Sequence, residues 1–81
     1  MELLDTIDLM KSSDFKDRFK AEYYQLKIRT EKLEITIDKY NAGTLPFTPN
    51  CSVELLSAQL ELMKAYLKIL TERANIEKIE L

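Results

Sequence analysis

The feature that most constrains the fold is a continuous apolar repeat between residues 15 and 40, which contains neither glycine nor proline. Its members after Phe15 follow one another at alternating steps of four and three residues: Phe19, Tyr23, Leu26, Thr30, Leu33, Ile37 and Tyr40. Such steps keep the side chains on one side of a helix with about 3.6 residues per turn. The repeat therefore predicts one long amphipathic helix.

Residues that favour helix ends bound this repeat. Asp14 and the two serines before it carry oxygens that can accept the free N–H groups of a first helical turn. Gly43 follows the repeat, and glycine adopts the left-handed conformation that closes many helices. We expect a helix at about 13–42 and a loop at 43–51.

A second helix is predicted at about 52–79, capped by Asn50, Cys51 or Ser52, and its apolar residues form two stripes. The first stripe contains Leu56, Leu60, Met63, Leu67, Leu70 and Ala74; the second contains Leu55, Ala58, Leu62, Ala65 and Ile69, followed by Ile76 and Ile79. One helical neighbour covers only one face, and soluble monomers rarely expose apolar patches of more than roughly several hundred Å². We therefore expect another copy of the chain to cover the second stripe.

The predicted fold class is all-α: a short N-terminal helix plus a long antiparallel helical hairpin, assembled as a homo-oligomer. Residues 1–12 form the short helix or an extension, and residues 13–81 form the hairpin domain. One Gly, two Pro and 46% hydrophobic residues fit long helices better than disorder or a β fold.

Composition also excludes several classes of function. The chain has no His and one Cys, so the usual zinc sites and nucleophile–base pairs are missing, and we expect neither an enzyme nor a cofactor. A net charge of −2 argues against a general binder of long nucleic acid. No membrane span or secretory signal is recognisable, which favours the cytoplasm.

Charge is uneven along the chain, and the first long helix mixes cations with tyrosines. Residues 1–10 carry three acids, whereas residues 11–39 carry eight Lys or Arg and six Asp or Glu. Tyr24 and Lys39 are 15 residues apart, which is about 22 Å along a helix. If they share a ligand, two protomers packed antiparallel must bring Tyr24 of one chain near Lys39 of the other.

Four segments resemble small phage-encoded anti-CBASS proteins, which are sponges for cyclic oligonucleotides. They are DFKDRFKAEYYQL at 14–26, RTEKL at 29–33, AGTLPFTP at 42–49 and RANIEKI at 73–79. The resemblance covers roughly residues 13–81. It implies a helical homohexamer, in the cytoplasm of an infected bacterium, that sequesters cyclic dinucleotides of the cGAMP type, and also cyclic trinucleotides, without cleaving them.

The resemblance also implies binding residues. A tyrosine and a lysine fifteen residues later, here Tyr24 and Lys39, belong to the dinucleotide pocket, with Tyr23 as the alternative tyrosine. A late arginine, here Arg73, belongs to the trinucleotide pocket, with Thr71 and Ala74 nearby. The competing interpretation is a helical protein–protein adaptor without a small-molecule ligand, in which Arg73 only complements a helix C-terminus.

Overall fold

A computed structural model describes residues 1–81 and contains helices but no strands. A 3-10 turn spans Leu3–Thr6 and continues into helix α1, Ile7–Lys11. Helix α2 spans Phe15–Asn41, and helix α3 spans Val53–Glu77. The start of α2 packs against the end of α3, so the two long helices are antiparallel. The predicted all-α class and its helical hairpin are confirmed.

The corner before α2 is fixed by polar side chains. Asp14 accepts a hydrogen bond from the backbone N–H of Lys16, at 2.9 Å, and so caps the helix. The Ser12 hydroxyl accepts from the Asp14 N–H and donates to the Asp17 carboxylate. Arg18 donates to the Ser12 carbonyl oxygen at 2.9 Å. These bonds set the direction in which α1 leaves α2.

The N-terminal segment, residues 1–11, folds back along α2. Thr6 is fully buried there; its hydroxyl donates to the Leu3 carbonyl oxygen and accepts from the Gln25 side-chain amide at 2.9 Å. Because the buried hydroxyl is satisfied on both sides, it anchors the segment without the cost of an unpaired polar group.

The loop between the long helices begins and ends at caps. Gly43 has a φ of 73°, and the next N–H, that of Thr44, donates to the Lys39 carbonyl oxygen at 2.9 Å. The Ser52 hydroxyl accepts from the Leu55 N–H at 3.1 Å, so Ser52 is the residue that caps α3.

Helix α3 ends at Glu77, two residues before the predicted end. Lys78 adopts a left-handed conformation with a φ of 56°, and this turns Ile79 back onto the helix pair. Ile79 is consequently buried with Phe19, Leu70 and Ala74 in the main core cluster. Its assignment to the second stripe was therefore wrong: the chain reversal at Lys78 moves it from that face into the core.

The two faces of α3 differ sharply in burial. The first stripe faces α2, where Leu60, Leu70 and Ala74 are buried. The second face is open, and its largest side chains recur every seven residues: Leu55, Leu62, Ile69 and Ile76, between 55% and 79% exposed. We call this row the α3 seam. Ala58 and Ala65 lie beside it and are exposed as well.

Leu70 offers a direct test of the hairpin core, because its side chain is fully buried. We expect Leu70→Ala to lower the free energy of unfolding by about 2–5 kcal/mol, since it leaves a cavity between the helices. Urea denaturation followed by circular dichroism measures the change. The matched control is Leu4→Ala, whose side chain is 77% exposed; it should change stability by less than about 0.5 kcal/mol. Equal effects would contradict this core assignment.

One ion pair crosses the hairpin. Lys64 Nζ lies 2.6 Å from Glu34 Oε2, with both side chains almost half exposed. The hydrogen bond to Glu34, and then the charge of that carboxylate, raise the pKa of Lys64 above its ordinary value of 10.5. A raised lysine pKa stabilises the folded state below the unfolded-state pKa, and this stabilisation is lost as pH rises through the folded-state pKa.

We expect Glu34→Gln to return the pKa of Lys64 towards 10.5, because the carboxylate that favours the ammonium is gone. NMR titration of the Lys64 side chain between neutral and strongly alkaline pH measures the midpoint. Glu31→Gln is the control, since Glu31 is exposed on α2 and forms no ion pair. An unchanged Lys64 midpoint in Glu34→Gln would show that the pair does not form in solution.

Candidate functional site

Tyr23 and Tyr24 lie side by side near the start of α2 but have different surroundings. Tyr23 packs against the main core cluster and is half-buried. The Tyr24 ring contacts the Tyr23 ring edge to face, with centroids 5.2 Å apart and planes at 78°. Tyr23 is thus part of the hairpin core, whereas Tyr24 is held beside it by an aromatic contact.

Lys39 lies in the last turn of α2 and is exposed. Its backbone oxygen takes part in closing the helix, but its ammonium forms no ion pair within the chain. Because α2 is a continuous helix, Tyr24 and Lys39 stay about 22 Å apart along its axis. The single chain does not bring these two residues together.

Arg73 is positioned by two contacts near the end of α3. Its guanidinium lies over the Phe19 ring, 5.0 Å from the centroid, and its Nε donates to Glu77 Oε2 at 3.3 Å. The side chain is still 46% exposed. A guanidinium that lies over a ring in this way keeps its remaining N–H groups available for a phosphate.

Thr71 and Ala74 differ from Arg73 in the directions they face. Thr71 is exposed, and its hydroxyl donates to the Leu67 carbonyl oxygen. Two positions along an α-helix correspond to about 200° of rotation, so Thr71 points away from Arg73. Ala74 is buried in the main core cluster. Of these three residues, only Arg73 is both exposed and on the side of α3 that faces Phe19.

The largest concavity is an open groove of about 460 Å³ at the junction of α1, α2 and α3. Its lining comes from all three helices: Met10, Arg18, Ala21, Glu22, Gln25, Leu26, Arg29 and Tyr66. We call it the arginine groove. Glu22 accepts a hydrogen bond from the Tyr66 hydroxyl, which ties the two long helices together across it. None of the residues predicted to bind ligand lines this groove.

The arginine groove could be recognised only in part from the sequence. Arg18, Glu22, Gln25 and Arg29 follow one another at steps of four, three and four residues, which places them on one side of α2. That spacing alone equally fits a solvated helix face. The walls from Met10 and Tyr66 depend on how α1 and α3 pack on α2.

The structure contains no cluster of three or more His, Cys, Asp or Glu side chains suited to a metal ion. Cys51 is a free, exposed cysteine in the loop before α3. No helix combines the length and apolar character needed to cross a bilayer.

Comparison with known proteins gives one positive result. The model of a family described as Sequestin matches residues 13–76, which is most of the chain. This match is consistent with the resemblance to anti-CBASS sponge proteins. No curated protein and no solved structure matches the chain.

Proposed function

Because the chain belongs to the Sequestin family, we propose that it binds and sequesters cyclic oligonucleotide second messengers without cleaving them. Cyclic dinucleotides of the cGAMP type are the first ligand class and cyclic trinucleotides the second. In this proposal the protein acts in the cytoplasm of a phage-infected bacterium and blocks CBASS defence. Sequestration requires affinity and copy number and no catalytic group.

The observation that supports the dinucleotide part is an open surface on the second half of α2. Lys39 has no ion-pair partner, and Ile35, which is 53% exposed, lies between it and Tyr24 along the chain. At about 100° per residue, Tyr24, Ile35 and Lys39 fall within about 60° of one another around the helix. A second copy packed antiparallel would cover Ile35 and place its own Lys39 near Tyr24.

Such a pair of chains has the symmetry of the ligand. A cyclic dinucleotide carries two phosphates and two bases, and a two-fold pocket offers one Lys39 ammonium and one Tyr24 ring to each half. Tyr23 is the weaker candidate for the base contact, because it already packs against the core cluster.

The α3 seam supplies a surface for assembly. Leucine and isoleucine recur at seven-residue intervals with alanine between them, a pattern typical of closely packed helix pairs. In an antiparallel pair centred near Ala65, Leu62 meets the partner's Ile69 and Leu55 meets the partner's Ile76. Each of these contacts then occurs twice, the second time with the two chains exchanged, as a two-fold axis requires.

Two-fold and three-fold axes together generate six copies, which agrees with the homohexamer that the resemblance implies. Around a three-fold axis, three copies of Arg73 would face the three phosphates of a cyclic trinucleotide. The contact with Phe19 supports this role, since it holds the guanidinium in one orientation before ligand arrives.

We expect isothermal titration with 3′,3′-cGAMP to give heat for the wild-type protein and at least tenfold weaker binding for Tyr24→Ala and Lys39→Ala. A lost charge-assisted hydrogen bond costs about 1.5–3 kcal/mol, which is roughly one to two powers of ten in affinity. Lys68→Ala is the matched control, because Lys68 is an exposed cation on α3 and forms no ion pair.

The same titration with cyclic triadenylate tests the second pocket. Arg73→Gln should weaken this ligand and leave 3′,3′-cGAMP binding unchanged, because it removes the guanidinium from a side chain that is 46% exposed. Absence of heat and of a thermal shift with both ligands would reject the sequestration proposal.

A charge in the α3 seam tests the assembly. We expect Leu62→Glu to convert the oligomer to monomers and to abolish cGAMP binding, because the pockets lie between protomers. Size-exclusion chromatography with light scattering measures the mass, with Leu4→Glu as the control on an equally exposed leucine. A wild-type monomer that binds no cyclic nucleotide would instead favour the alternative, a helical adaptor whose seam docks another protein.

A further inference from the structure

We propose that the arginine groove is a second kind of ligand site, complete within one protomer, that binds a linear nucleotide with phosphates at two separated positions. No residue of the predicted pockets lines this groove. The proposal concerns a site between α1, α2 and α3 of the same chain, and it stands whether or not the chain captures cyclic nucleotides between protomers.

The charges of the groove favour a ligand that carries two separate anionic groups. Arg18 and Arg29 are 11 residues apart on α2, which is about 16 Å along the axis and only about 20° in rotation. Both guanidinium groups therefore border one side of the same groove. The acids of the N-terminal segment, Glu2, Asp5 and Asp8, do not line it. The lining contains two arginines and one acid, Glu22, so its net charge is positive. The whole chain, by contrast, has a net charge of −2.

The two arginines differ in the hydrogen bonds that their side chains form within the protein. Arg18 donates to the Ser12 carbonyl oxygen through one terminal nitrogen, so its head is oriented and its other N–H groups are free. Arg29 is exposed and forms no hydrogen bond or ion pair through its side chain in the folded chain. Planar guanidinium groups bind phosphate, as they bind carboxylate, through two parallel hydrogen bonds, which favours such oxyanions over a simple halide ion.

The space between the arginines suits a base. Met10 and Leu26 provide apolar surface there, above the buried Ala21, and the Tyr66 ring is held in place because its hydroxyl donates to Glu22. A methionine thioether packs well against aromatic rings and adapts to their shape. The volume of about 460 Å³ is within the range of known small-molecule sites. Two phosphates with a base lying between them describe a short linear nucleotide.

The test uses the full-length protein and the linear dinucleotide pApA, with adenosine and inorganic pyrophosphate as partial ligands. Amide and side-chain shifts in ¹H–¹⁵N NMR spectra locate binding, and their concentration dependence gives the dissociation constant. We expect pApA to shift Ala21 and the Gln25 side-chain amide, and each partial ligand to bind at least tenfold more weakly. Equal binding of pyrophosphate and pApA would overturn the proposal, because it would show charge attraction alone.

The decisive variant is Arg29→Gln, since Arg29 supports no contact that the fold needs. It should weaken pApA at least tenfold, whereas Lys27→Gln, with the same charge change on another side of α2, should not. Lys39→Ala should leave pApA binding intact and so separates this groove from the proposed cGAMP pocket. If Arg29→Gln has no effect, or Lys39→Ala removes pApA binding, the groove is not the site.

Discussion

The packing of Phe19 against the end of α3 is the contact on which the rest of the structure depends. Phe19 is buried with Leu70, Ala74 and Ile79, so one aromatic ring joins the beginning of α2 to the last turns of α3 and to the chain beyond it. The hydrophobic effect and close packing are strongest where such large side chains leave water together. This cluster fixes the antiparallel register of the hairpin.

Tyr24 and Arg73, two of the proposed binding residues, are positioned next to that cluster, whereas Lys39 lies at the other end of α2. Tyr23 packs on it and contacts the Tyr24 ring, while Arg73 lies over the outer face of Phe19. The same side chains that stabilise the hairpin therefore orient groups at its surface. Since the chain has no glycine and no proline within α2 or α3, these groups sit on stiff elements rather than on loops. A binding protein benefits from this because less conformational freedom is lost when the ligand arrives.

The sequence predicts the helices well because their signals are local. The spacing from Phe19 to Tyr40, the cap at Asp14 and the glycine at position 43 each act within one or two turns. The prediction is wrong at Ile79, because Lys78 adopts a left-handed conformation that is uncommon for residues other than glycine, and this sends the chain back to the core. The arginine groove is missed for a related reason: Met10 and Tyr66 reach it through contacts between residues far apart in the chain. The proposed roles of Tyr24, Lys39 and Arg73 rest on the family resemblance, because periodicity and composition do not predict them.

Helix α2 runs without a break from Phe15 to Asn41, so it fixes the distance and the angle between any two of its residues. In the proposed two-fold pocket, the distance between the two ends of the ligand is set by the number of residues between Tyr24 and Lys39. Adding one residue would rotate Lys39 by about 100° and lengthen the span by about 1.5 Å, which moves the lysine off the binding face before it accommodates a larger ring. Ligand size in such a pocket can therefore be adjusted by exchanging side chains on the helix, but hardly by changing its length.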